Sequence, residues 1–127
     1  MTYPLSIMEA AEATGVSVHT LRYYERVGLL APVDRGPGGH RRYTEADLGS
    51  VRFLTMLRAT GMPIREMIEF VELTRAGDHT IPWRIEVLNR HREALRSRMA
   101  DDASHLDALD RKISIYEGML EEARKSA

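Results

Sequence analysis

The chain has 127 residues and no cysteine, and its 18 Lys and Arg face 19 Asp and Glu, for a formal net charge of −1. That length holds one compact domain, or a small domain with an appended helix, and the missing thiols exclude disulfides, thiolate metal sites and cysteine nucleophiles. Bulk charge gives no attraction for a polyanion, apolar runs of a few residues do not span a bilayer, and the Met-Thr-Tyr-Pro-Leu start lacks a secretory pattern, so a bacterial-type cytoplasmic protein is expected.

Ser6-Ile7-Met8-Glu9 opens the first helix with a capping box, Ile7, Ala10 and Ala11 follow at helical spacing, and Gly15 ends it. Only Val16 and Ser17 precede a second periodic stretch with Leu21, Tyr24 and Val27, closed by Gly28. Two short helices joined by a tight Gly-containing turn predict a helix-turn-helix over 6–29. Residues 31–43 lose the helical period: Ala31 to Arg35 and His40 to Tyr43 read as two short strands around Gly36-Pro37-Gly38-Gly39, a flap that must lean on the helices. Thr44-Glu45-Ala46-Asp47 caps a third helix over 44–60 with Leu48, Val51, Leu54 and Leu57 on one face, and Pro63 opens a fourth over 63–76 with Ile64, Met67, Ile68 and Val71.

The last segment is the most regular. Thr80 is placed to cap it and Pro82 to sit in its first turn. From Ile85 a heptad runs with Ile85, Arg92, Met99, Leu106, Ile113 and Leu120 at a, and Leu88, Leu95, Asp102, Leu109, Tyr116 and Ala123 at d. A helix of about 35 residues would extend roughly 50 Å, more than a small domain can cover, so a coiled-coil partner is implied.

Charge is uneven along the chain. Within 17–43, Arg22, Arg26, Arg35, Arg41 and Arg42 outnumber Glu25 and Asp34, whereas 63–127 hold 11 bases against 13 acids. A basic helix-turn-helix with a basic hairpin is what phosphate contact requires. The start of the second helix, where such motifs reach base edges, offers Ser17, His19, Thr20 and Arg22; Tyr23 can donate to a phosphate, and Tyr24 points to the core. The acidic remainder would be held away from DNA.

These residues resemble a known family. The run Gly15-Val16-Ser17-Val18-His19-Thr20-Leu21-Arg22-Tyr23-Tyr24-Glu25-Arg26-Val27-Gly28-Leu29-Leu30 is similar to the signature of MerR-type transcriptional regulators. Arg35 through Tyr43, the Thr-Glu-Ala-Asp helix start and Leu57-Arg58-Ala59-Thr60-Gly61-Met62 continue it in register. The resemblance implies a mainly α protein: a winged helix-turn-helix DNA-binding domain with a two-stranded wing over 1–78, then an antiparallel coiled-coil dimerisation helix and tail over 79–127. It implies a homodimer that binds a pseudo-palindromic operator and distorts promoter DNA, acting on RNA polymerase through the promoter. His19 and Arg22 would approach bases, and Tyr23, Arg35, Arg41 and Arg58 phosphates. Arg42 belongs to the same basic wing, and His40 stands where the wing more often carries Tyr.

The segments 61–81 and 110–117 resemble the subgroup that senses aldehydes or nitrosative stress through a cysteine in the third helix. Met56 occupies that position and reads as a core methionine. Metal-sensing relatives use cysteines at the end of the long helix, and multidrug-sensing ones append a ligand domain; a chain ending at residue 127 leaves no room for one. No cofactor or metal is expected, and His91 and His105, fourteen residues apart, read as a solvated flank. A small-molecule effector, if one binds, would meet Met67, Phe70 and Trp83. No enzyme signature is present.

On the seam, Leu88, Arg92, Leu95, Met99, Asp102, Leu106, Leu109 and Ile113 are the expected dimerisation residues. If antiparallel partners pair where residue numbers sum to 194, Arg92 faces Asp102 and Leu95 faces Met99 across the dimer. The alternatives are an excisionase-like architectural DNA-binding factor, or a coiled-coil adaptor whose basic patch is incidental.

Overall fold

The computed structural model describes residues 4–31 and 42–127. It is mainly helical: α1 spans Ile7–Thr14, α2 Val18–Arg26, α3 Glu45–Ala59, α4 Ile64–Ala76 and α5 Ile81–Ser126, with a 3-10 turn, Asp78–Thr80, before α5. Most of the predicted wing lies at residues 32–41, outside the described residues. Among the described residues there is no strand. The β pairing is an antiparallel bridge in which Leu5 and Tyr43 exchange backbone hydrogen bonds of 2.7 Å.

Local chemistry sets the helix starts. Ser6 Oγ accepts from the Glu9 amide, and Glu9 Oε1 accepts from the Ser6 amide. These bonds, backbone first, hold the exposed Glu9 carboxyl below its ordinary range, with Arg42 adding a smaller electrostatic pull. A carboxylate with a lowered pKa stabilises the fold fully above its unfolded pKa and loses that effect as pH falls through the folded one. The gap in unfolding midpoint between wild type and Glu9→Ala should therefore shrink on acidification through the carboxylate range. A gap independent of pH would show that the ionised carboxylate is not its source. Thr44 and Asp47 form the same reciprocal box at α3, and Ser17 caps α2 by accepting from the Thr20 amide.

Gly15 ends α1 at φ 72, a left-handed conformation that would strain a residue with a Cβ, and its amide donates to Ala11 O. That turn leaves α1 packed on both α2 and α3, and α4 on α3. The side chains buried between them include Leu5, Leu21, Tyr43, Leu48, Val51, Leu57 and Met67. Tyr24, at 5% exposure, is core as expected. Arg52 Nη2 donates to Ala13 O, tying α3 to the end of α1.

Thr80 differs from its expected role. It is buried, and its hydroxyl proton is shared between Leu73 O at 2.5 Å and Gly77 O at 2.7 Å. Its oxygen accepts from Arg84 Nε at 2.9 Å, while Arg84 Nη2 donates to Gly77 O at 2.7 Å. The side chain thus fastens the end of α4 to the start of α5 and satisfies carbonyls that a helix terminus leaves orphaned. Thr80→Val keeps the shape and removes the hydroxyl. It should cost about 1–3 kcal/mol in chemical denaturation, because buried groups lose their partner; an unchanged midpoint would remove the hydroxyl from the account.

By its contacts the chain divides into two units, Met1–Val87 and Leu88–Ala127. The second is the remainder of α5. The 46 residues of α5, about 69 Å of helix, exceed the expected 35, since the helix continues through Gly118. Along it Met99, Leu106, Leu109, Ile113, Tyr116 and Leu120 are exposed.

Candidate nucleic-acid interface

Helix α2 buries Leu21 and Tyr24 and turns His19, Arg22, Tyr23 and Arg26 outward, at the i, i+3, i+4, i+7 spacing of one face. His19 and Arg22 are exposed and make no hydrogen bond or ion pair among the described residues, which leaves both side chains available to a ligand. The Arg26 guanidinium lies over the Tyr23 ring, 5.6 Å from its centroid, and the Tyr23 and Tyr24 rings are 6.3 Å apart at 50°. The Tyr23 ring thereby lies between a core ring and a surface cation. Arg26 was missed as a site residue in the sequence, although its place one turn after Arg22 and three residues after Tyr23 puts it on the same stripe.

The expected contacts at the start of α2 divide into two kinds. Ser17 and Thr20 are occupied with each other: Ser17 Oγ donates to Thr20 Oγ1 at 2.9 Å and accepts from its amide at 3.0 Å. Their hydroxyls build the helix start and keep only their remaining lone-pair capacity for DNA. Of the basic wing, Arg42 is described, half-buried beside Glu9, and Arg35, His40 and Arg41 lie outside the described residues. Arg58 is exposed on α3, and its Nη1 donates to Met62 O at 3.3 Å, which braces the turn before α4.

Met56 is 45% exposed rather than core: the buried stripe of α3 runs through Leu48, Val51, Leu54 and Leu57, and Met56 falls beside Phe53 on another face. Met67, Phe70 and Trp83, expected to meet an effector, differ in their exposure. Met67 is fully buried and Trp83 is 53% exposed, while Phe70 lines a cavity of about 240 Å³ with Leu30, Phe53, Leu54 and Val71. Among the described residues no group of three His, Asp or Glu is placed to hold a metal ion. No described helix is long and apolar enough to cross a membrane.

A short helix with a solvent-facing row of His, Arg and Tyr, set by a tight turn on a second helix, defines a helix-turn-helix DNA-binding protein. The model of the MerR HTH family regulatory proteins matches residues 5–73, and the chain belongs to that family. An uncharacterised HTH-type transcriptional regulator of Haemophilus influenzae is 36% identical over 117 residues, 92% of this chain and 85% of that protein. A Listeria monocytogenes structure assigned to MerR family transcriptional regulators superposes with a TM-score of 0.90 at 38% identity, covering 96% of this chain and 92% of that one. HiNmlR, a MerR family regulator lacking the sensor domain and solved bound to promoter DNA, superposes with a TM-score of 0.81 at 36% identity, covering 92% and 91%. The relatives are transcriptional regulators, not enzymes.

Proposed function

We propose that this MerR-family regulator binds a pseudo-palindromic promoter operator as a homodimer and distorts it. The observation that carries this reading is the outward row His19, Arg22, Tyr23 and Arg26 on α2, with His19 and Arg22 uncommitted to the fold. A helix of this kind enters the major groove, where an arginine fork matches the acceptors of guanine. Arg35, His40, Arg41 and Arg42 of a two-stranded wing over 31–43, together with Arg58, hold phosphates around it. HiNmlR, at 36% identity, is bound to promoter DNA, which supports the same target here.

A second copy supplies the second half-site. Among the described residues nothing covers the exposed apolar row on α5, and a surface of that kind marks an association site. An antiparallel pair of these helices buries the row and separates two heads, 1–78 in each copy, by a stalk over 79–127. Twofold symmetry then requires half-sites about one DNA turn, ~34 Å, or a multiple apart. Bending and untwisting let such a dimer realign promoter elements for RNA polymerase, with deformation energy as part of the readout. A cytoplasmic location follows from that target.

Selection of bound sequences from a random duplex pool, followed by a bending assay with the site at different positions in a fragment, tests the reading. Enrichment of an inverted repeat and position-dependent mobility are expected. Enrichment of no sequence would favour an adaptor, and a bent site without effect in a promoter reporter would favour an architectural factor for recombination.

A further inference from the structure

The cavity on the helical head is walled by three elements. Leu29, Leu30 and Ala31 come from the turn after α2, Phe53 and Leu54 from α3, and Phe70 and Val71 from α4. Its floor is apolar and includes an aromatic corner, with the Phe53 and Phe70 centroids 5.6 Å apart at 45°. Its polar lining is Asp47, Ser50, Thr74 and Arg75, and these four are not equivalent. Asp47 Oδ2 accepts from the Thr44 amide as part of the α3 capping box, and Thr74 Oγ1 donates to Phe70 O within α4. Among the described residues Arg75 makes no hydrogen bond or ion pair, and neither does the Ser50 hydroxyl. The free groups in the lining are therefore one guanidinium and one hydroxyl, beside an apolar and aromatic wall.

We propose that this cavity binds a small aromatic carboxylate, its ring against Phe53 and Phe70 and its carboxylate on Arg75, with Ser50 Oγ as a second donor. The volume, about 240 Å³, is below the ~300 Å³ at which drug-sized ligand pockets begin, which limits the occupant to a single-ring acid. A guanidinium is matched by a carboxylate through paired N–H donors, and a neutral or cationic ligand leaves Arg75 unanswered. The ligand's own charge must point away from Asp47, whose carboxylate is already held by the helix cap.

The position gives the site a consequence. Leu29 and Leu30 lie just past the Val27-Gly28 turn that ends α2, and both of their amides donate to Tyr24 O, at 2.8 and 3.1 Å. A ligand pressed on this wall touches the segment that ends the DNA-facing helix. Its meaning as an effector site rests on the regulator reading above; its existence does not.

Phenylacetate is the probe. It should shift the methyl resonances of Leu30, Leu54 and Val71 in a saturable titration of the full chain without DNA. Arg75→Gln, on an exposed side chain, should leave the fold intact and weaken binding about tenfold, while the binding of phenylacetamide is unchanged by the same substitution. Absence of saturation, equal phenylacetate affinity in Arg75→Gln, or tighter binding of phenethylamine would overturn the proposal. So would nuclear Overhauser contacts from Met119 or Ile115 of a second copy to Phe70, which would assign the groove to the dimer. Operator affinity measured on the same samples without phenylacetate tests the regulator reading separately.

Discussion

Arg22→Ala should sharply weaken sequence-specific operator binding while leaving the protein folded. Arg22 is exposed in the middle of α2, it carries no bond among the described residues, and Leu21 and Tyr24 on either side of it hold the helix to the core. Removing it therefore subtracts an intermolecular contact and little else. A guanidinium bidentate to guanine contributes about 1–3 kcal/mol of discrimination, and a twofold dimer loses that contact in both half-sites. The expected result is about a hundredfold weaker binding to the selected operator, with affinity for random duplex reduced far less. Fluorescence anisotropy at fixed salt with both duplexes separates the two effects. Equal losses on both duplexes would make Arg22 a phosphate contact, and full operator affinity would remove it from the interface. Arg26→Ala is the companion measurement. Its stacking on Tyr23 places it on the same face but commits part of its surface to the ring.

The helix starts at Ser6 and Thr44 were legible because a cap is a local event: Ser6 with Glu9 and Thr44 with Asp47 each act across three residues, and both bonds are present, whereas Ser17, read from the sequence as a DNA contact, also caps α2 through the Thr20 amide. The outward face of α2 was legible for a similar reason, since Leu21 and Tyr24 fix the buried side and the rest follows from the helical period. Long-range relations were not. The Leu5–Tyr43 bridge pairs residues 38 apart, and no periodicity in either segment announces it. Thr80 looked like a cap because a threonine before an apolar run usually is one; its actual bonds reach back to Leu73 and Gly77, which depends on how α4 ends. Burial was not legible for the residues grouped at a possible effector site: Met67 is fully buried and Trp83 is exposed, while Phe70 lines the cavity. What forms that cavity, the pairing of Phe53 on α3 with Phe70 on α4, depends on the packing of two helices and is not written in either one.

In the proposed homodimer, Asp102→Arg should give monomer, and adding Arg92→Asp should restore the dimer. Both residues interrupt an otherwise apolar row on α5, and both are exposed in the single chain. Among the described residues Arg92 pairs with Glu93, Nε to Oε1 at 4.0 Å between two exposed side chains, a contact worth little in water. In the antiparallel register proposed for the seam, each Arg92 meets the partner's Asp102, and the symmetry repeats the pair on the other side of the centre. The single reversal then places two like-charged pairs within the interface, each costing several kcal/mol, against a seam formed by Leu95, Met99, Leu106 and Leu109. Polar residues at seam positions commonly fix register in coiled coils at some cost in stability. Sedimentation equilibrium at micromolar protein should show monomer for Asp102→Arg and dimer for Arg92→Asp with Asp102→Arg. A single variant that sediments as wild-type dimer would refute this register and return both residues to the wet edge of the helix. Failure of the double variant to recover would show that Asp102 acts on something other than Arg92.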